Sequence, residues 1–184
     1  IKNNLQSVAM LLRLQMAGDR PISAQEVLHD SVNRILSIAA VHEVLSQRGF
    51  RQVDVKDVLE RVSRAVAHNM QRPDLDVVVT VDGDEVALPS QAATSLALAV
   101  NELVQNALEH AFVGQDRGCV EVSLRRSPGE LIIEVRDDGV GLSDGSPRHL
   151  GLEIVETLVL EDLNGVWSLT GTEGTIARIT IPVP

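Results

Sequence analysis

Residues 101–112 read NELVQNALEHAF, and further along stands Asp137-Asp138-Gly139-Val140-Gly141. In a helix, Glu102 and Asn106 stand at i, i+4, so both side chains lie on one face. Around them run Leu96, Ala99, Val100, Leu103 and Ala107, an apolar stripe that predicts burial. A buried amide and carboxylate are costly unless they have partners, and a phosphate-bound metal ion is such a partner. Asp137 closes an apolar strand pattern and enters a double-glycine turn, where backbone can approach a flat ligand closely.

Outward from this stretch the pattern alternates. Residues 50–55 read as a short strand, and Val55, Val58, Leu59, Val62 and Val66 mark a helix. Leu75 to Val81 is rich in β-formers, Asp82-Gly83-Asp84 makes a turn, and Glu85 to Leu88 is extended. Pro89 opens the long helix, which runs to about Phe112, with proline near the first turn where its missing N–H costs nothing. Gly118 to Arg126 and Glu130 to Asp137 alternate around Ser127-Pro128-Gly129, a hairpin signal. Residues 142–148 (LSDGSPR) read as a polar loop, residues 150–163 as a helix, and 165–170 and 174–182 as a strand pair.

Upstream, Leu5, Val8, Leu11, Leu12 and Met16 recur at helical spacing, and Gly18-Asp19-Arg20-Pro21 breaks the helix. Ser23 precedes Glu26 by three residues, a capping box for a second helix over 24–47. That helix carries Leu28, Val32, Ile35, Ile38, Ala39, Val41 and Leu45, a stripe wider than one partner helix can cover. Two such hairpins pair into a four-helix bundle, so a homodimer is expected. The fold class is therefore α+β: a two-helix hairpin over 1–47, then an α/β sandwich over 50–184.

Composition narrows the function. The 184 residues carry a net charge of −10, which argues against direct binding of nucleic acid or an anionic membrane by this segment. Two Phe, one Trp and no Tyr leave the core to aliphatic side chains. The single cysteine, Cys119, excludes an internal disulfide and suits a reducing, cytoplasmic setting. No apolar run reaches the length of a membrane span. Ile1 enters in mid-helix pattern without an initiating Met, so a longer chain upstream is expected.

The 101–112 and 137–141 pair resembles the N box and first glycine box of the histidine-kinase ATP-binding domain, the Bergerat (GHKL) fold shared with gyrase B and MutL. His149-Leu150-Gly151-Leu152-Glu153-Ile154-Val155 is similar to the second glycine box, with His149 in place of an expected Gly. Gly174-Thr175 followed by IARITIP resembles the last glycine box and its terminal strand. Ile1-Lys2-Asn3-Asn4-Leu5-Gln6 resembles the H box of the HWE and HisKA-two kinases, and the likeness continues through LLRLQ and ILSIAAVHEVLS toward the PdtaS type of cytosolic sensor kinase. In that group the acceptor histidine precedes the position of Ile1, so this stretch of chain is expected to lack it and not to autophosphorylate productively by itself. His42-Glu43 falls on the second helix, where the group does not place its acceptor.

The resemblance implies ATP and Mg²⁺ as cofactors. It implies Asn106 as the metal ligand and Glu102 as the acid that polarises the attacking group or organises the metal's water shell. It places Asn101 and His110 at the phosphate end, Asp137 at the adenine amino group, and Thr175 with Gly174 beside the base. Gly139 and Gly141 let the lid begin close to the base, while Gly151 and Leu152 open the helix that faces the phosphates. Glu109 stands where the family often has Lys, so no phosphate contact is implied there. The implied function is a two-component sensor histidine kinase core that passes the γ-phosphoryl group to a histidine and then to a response-regulator aspartate, with an ANTAR-type RNA-binding output. A nucleotide-sensing dimerisation scaffold without catalysis, and another Bergerat ATPase, are the alternatives.

Overall fold

The computed structural model describes residues 52–142, 150–171 and 173–184. The expected hairpin over 1–47, with the Ile1–Gln6 run and His42, lies outside the described residues, as does His149.

Strand β1 (Gln52–Asp54) leads directly into helix α1 (Val55–Asn69). Asp54 caps α1 by accepting from Lys56 N at 3.0 Å, which satisfies one of the donors a helix start leaves unpaired. Val55, Val58, Leu59, Val62 and Val66 recur at helical spacing and are all buried, as the pattern predicts. Asp57 and Arg61 form an i, i+4 ion pair at 3.2 Å. β2 (Asp76–Gly83) follows, then the short β3 (Ala87–Pro89), which pairs antiparallel with β1.

Pro89 is the N-cap of α2 (Ser90–His110). As the sequence pattern predicts, the proline opens the helix near its first turn, where no N–H is needed. α2 is the central helix, and most of its residues from Ala93 to Leu108 are buried. β4 (Arg117–Ser127) and β5 (Glu130–Asp137) form the expected hairpin, with Gly129 at φ +79° in its turn.

α3 (Leu150–Thr157) does not run on as a plain helix to residue 163. Its continuation, Leu158–Asp162, is π-helical, closed by Leu163 N to Leu158 O at 3.1 Å. Such a wide turn is a local feature that the apolar period alone does not encode. Ser95 Oγ donates to Asp162 Oδ2 at 2.7 Å, tying this turn to the first half of α2. β6 (Val166–Thr170) and β7 (Ile176–Pro182) complete the chain.

The main sheet has five strands in the order β2-β4-β5-β7-β6. β2 and β4 are parallel, joined by a crossover that contains α2, and all other neighbours are antiparallel. Val120, Val122 and Leu124, then Leu131, Ile133 and Val135, then Ala177, Ile179 and Ile181, alternate into one face and join the helices in a single core. The opposite face carries charge, as where Arg178 Nε donates to Glu134 Oε1 at 2.6 Å. The result is a two-layer sandwich in which helices cover one side of the sheet. No helix of the described residues is long and apolar enough to cross a membrane.

Candidate nucleotide site

The C-terminal half of α2 meets two glycine-bearing segments. The first is the turn after β5. Asp137 is 6% exposed, and its Oδ1 accepts from Gly139 N at 3.0 Å and Thr175 N at 3.1 Å. The backbones also join, with Asp137 N donating to Thr175 O at 3.0 Å. Asp137 therefore stitches the end of β5 to the entry of β7. Gly174, at φ +76°, must be glycine on two counts: the left-handed backbone, and a Cβ that would fall 2.2 Å from Asp137 O.

Gly139 brings that turn onto α2. A Cβ there would lie 2.2 Å from Ala111 O, and Val140 N donates to the same oxygen at 2.8 Å. The sequence offered a turn glycine where backbone can approach a flat ligand; its packing role on Ala111 depends on a neighbour far back in the chain. Gly141 follows at φ +75°, and Leu142 N donates to Gly171 O at 3.4 Å.

The second segment is the start of α3. A Cβ on Gly151 would lie 3.0 Å from Glu102 Oε2, 3.2 Å from Asn106 Oδ1 and 3.3 Å from Asn106 Nδ2. The missing side chain thus leaves a cradle against the two polar heads that the i, i+4 spacing aligned. Glu102 is 6% exposed, and Asn106 Nδ2 is buried without a hydrogen-bond partner. A buried amide left unsatisfied is a costly arrangement that a ligand would relieve.

The other expected residues are placed less uniformly. Asn101 is 1% exposed, and neither of its side-chain polar atoms has a hydrogen-bond partner. His110 is exposed at the end of α2, its Nε2 3.7 Å from Glu109 Oε2. Leu152 is partly buried and packs on the core. Thr175 is half-buried beside Asp137. Asp138 has a different task from Asp137: its Oδ1 accepts from Cys119 N at 2.6 Å, fastening the start of β4. Burial pushes the Cys119 thiol above its ordinary value, and the carboxylates of Asp138 and Glu121 push it the same way.

The donor chemistry suits a hard cation shared with phosphates. Among the described residues no group of three or more His, Cys, Asp or Glu could hold a metal by itself. Mg²⁺ asks for less, since one or two protein oxygens with phosphates and waters complete its shell. Glu102 Oε2 and Asn106 Oδ1 supply oxygens of that kind beside the Gly151 cradle.

Comparison with known proteins shows the family. Residues 1–70 match a histidine kinase family model, HisKA_2. Residues 91–184 match the model described as histidine kinase-, DNA gyrase B-, and HSP90-like ATPase. The sensor histidine kinase PdtaS of Mycolicibacterium smegmatis is 37% identical over the whole chain, and that of Mycobacterium tuberculosis is 38% identical; in both cases the chain spans 38% of the relative's length. The solved Erythrobacter litoralis EL346 blue-light activated histidine kinase superposes with a TM-score of 0.81 at 27% identity, covering 98% of this chain and 57% of that one.

Proposed function

The chain belongs to the histidine kinase family with a gyrase B- and HSP90-like ATPase domain, and we propose that it binds Mg²⁺-ATP and transfers the γ-phosphoryl group to a histidine of its dimerisation helix. The observation that carries this reading is Gly151 seated against Glu102 and Asn106, because it brings the start of α3 directly onto the two polar residues of α2. Asp137, held by two backbone N–H groups, keeps its remaining oxygen for the amino group of adenine.

Mg²⁺, when bound, neutralises phosphate charge and fixes the triphosphate. Asn106 would hold it, and Glu102 would polarise the attacking imidazole or organise the metal's water shell. The imidazole nitrogen bonds to the γ-phosphorus as the bond to the bridging oxygen breaks, and ADP leaves. Such a transfer asks the protein for positioning and charge neutralisation rather than covalent help. The phosphoryl group then passes to a response-regulator aspartate. The relatives are named sensor histidine kinases; for this chain we propose a cytoplasmic kinase and a regulator with ANTAR-type RNA-binding output. We propose residues 1–47 as the dimerisation segment and 50–184 as the ATP-binding domain.

Isothermal titration tests the site. Mg²⁺-ATP should bind much more tightly than Mg²⁺-GTP, because guanine leaves the Asp137 acceptor unpaired. Asn106→Asp should lower affinity for Mg²⁺-ATP about tenfold or more. Equal affinities for the two nucleotides, or an Asn106→Asp protein that binds normally, would refute the reading.

A further inference from the structure

Ser95, Glu102 and Asn106 stand at i, i+7 and i+11 on α2, about two and three turns apart, so they share one face. α3 and its π-helical continuation pack against α2 and meet that face at both ends. Gly151, near the start of α3, lies against Glu102 and Asn106. Asp162, the last residue of the wide turn, accepts from Ser95 Oγ at 2.7 Å. This segment therefore runs antiparallel to α2 between two polar contacts.

Between those contacts Val155 and Val159 are buried in the core. Apolar burial is non-directional. It holds the two elements together without fixing how far one has slid along the other. The bond from Ser95 is directional, and Ser95 is 5% exposed, so the bond selects one register. The wide turn acts on the same coordinate. Closing i to i+5 puts more residues into each turn than an α-helix holds, which decides the side chain that arrives opposite Ser95. Along α2, Ser95 lies ~10.5 Å from Glu102. Its effect on the Gly151 contact must therefore travel through α3.

We propose that Ser95 and Asp162 are positioning residues for the nucleotide site: their bond sets the register of α3 on α2 and so holds Gly151 at Glu102 and Asn106. The inference rests on the nucleotide-site reading above and adds the pair that keeps its phosphate end assembled. The base end, where Asp137 takes the N–H groups of Gly139 and Thr175, is built from other strands and does not depend on this bond.

The test joins amide hydrogen exchange to calorimetric binding. Without nucleotide, Ser95→Ala and Asp162→Ala should each speed exchange over residues 151–156, while Val122 and Ile133 in the sheet keep their rates. Both variants should bind Mg²⁺-ATP about fivefold more weakly, within the range for residues that act on a site without touching its ligand. Adenosine affinity should not move. Asp162→Asn keeps a carbonyl acceptor for Ser95 and should restore both readings. Asp162 is exposed, so its variants keep the fold. An Asp162→Ala protein with unchanged exchange over 151–156 and Mg²⁺-ATP affinity within about twofold of wild type would overturn the inference while leaving the site intact. So would equal losses of adenosine and Mg²⁺-ATP affinity. A wild-type chain that binds neither adenosine nor Mg²⁺-ATP would overturn the site reading and the inference together.

Discussion

Gly139→Ala tests how the base-binding turn is held. A Cβ at this position would stand 2.2 Å from Ala111 O and 2.6 Å from Ala111 Cβ. An ordinary C···O contact is ~3.3 Å, so backbone must retreat by about 1 Å on one side. Retreat also breaks the 2.8 Å bond from Val140 N to Ala111 O. Overpacking of this kind costs ~1–3 kcal/mol, and the lost hydrogen bond adds ~1 kcal/mol. The stiffer unfolded chain returns ~0.4–1 kcal/mol. The net loss is about 1–3.6 kcal/mol by that arithmetic. Gly129→Ala is the control, because its Cβ meets nothing within 4 Å and only the φ of +79° opposes it. A left-handed alanine costs ~1–2 kcal/mol before the same return, so the control should lose less. Urea unfolding of both variants measures the difference. Mg²⁺-ATP affinity should fall in Gly139→Ala, since Asp137 Oδ1 accepts from the N–H of that residue, and should hold in Gly129→Ala. A Gly139→Ala protein no less stable than Gly129→Ala, with wild-type affinity, would show that the turn is not seated on Ala111.

Three further outcomes follow from the same geometry. Asp137→Asn should keep the bonds from Gly139 and Thr175 through its carbonyl oxygen but put a donor where adenine offers one, narrowing the preference for ATP over GTP in competition binding. Alkylation of Cys119 should reach half-maximal rate at a higher pH than that of an unperturbed thiol, since a raised pKa lowers the thiolate fraction at any given pH; Asp138→Asn should move that midpoint back down. Burying side chains such as Leu5, Leu12, Leu28, Ile35 and Leu45 is worth ~1.5–3 kcal/mol each, so the chain should sediment as a dimer, whereas a truncation beginning near Phe50 should be a monomer that binds nucleotide.

Much of the sandwich was legible because its signals are local. The α1 stripe, the β4–β5 alternation and the glycine turns each repeat with the period of the element they form. The i, i+4 pair of Glu102 and Asn106 was readable for the same reason. What joins them was not. Ala111 and Gly139 meet only once α2 lies over β5, and no period in either segment announces it. Asp137 and Asp138 are neighbours of the same type; the resemblance singled out Asp137, but only the pairing of strands shows Asp138 fastening Cys119 while Asp137 takes the N–H groups of Gly139 and Thr175. The π-helical turn likewise depends on long-range contacts, with Ser95 reaching Asp162 across the helix layer.

The central claim is phosphoryl transfer to histidine, and one measurement tests it most directly. The natural protein, incubated with Mg²⁺ and ATP labelled at the γ-phosphate, should acquire an acid-labile, alkali-stable label that maps to a histidine. The same protein with Asn106→Asp should lose that label while remaining folded. Tight binding of Mg²⁺-ATP with no phosphohistidine in the unaltered protein would contradict the account and leave a nucleotide-sensing scaffold in its place.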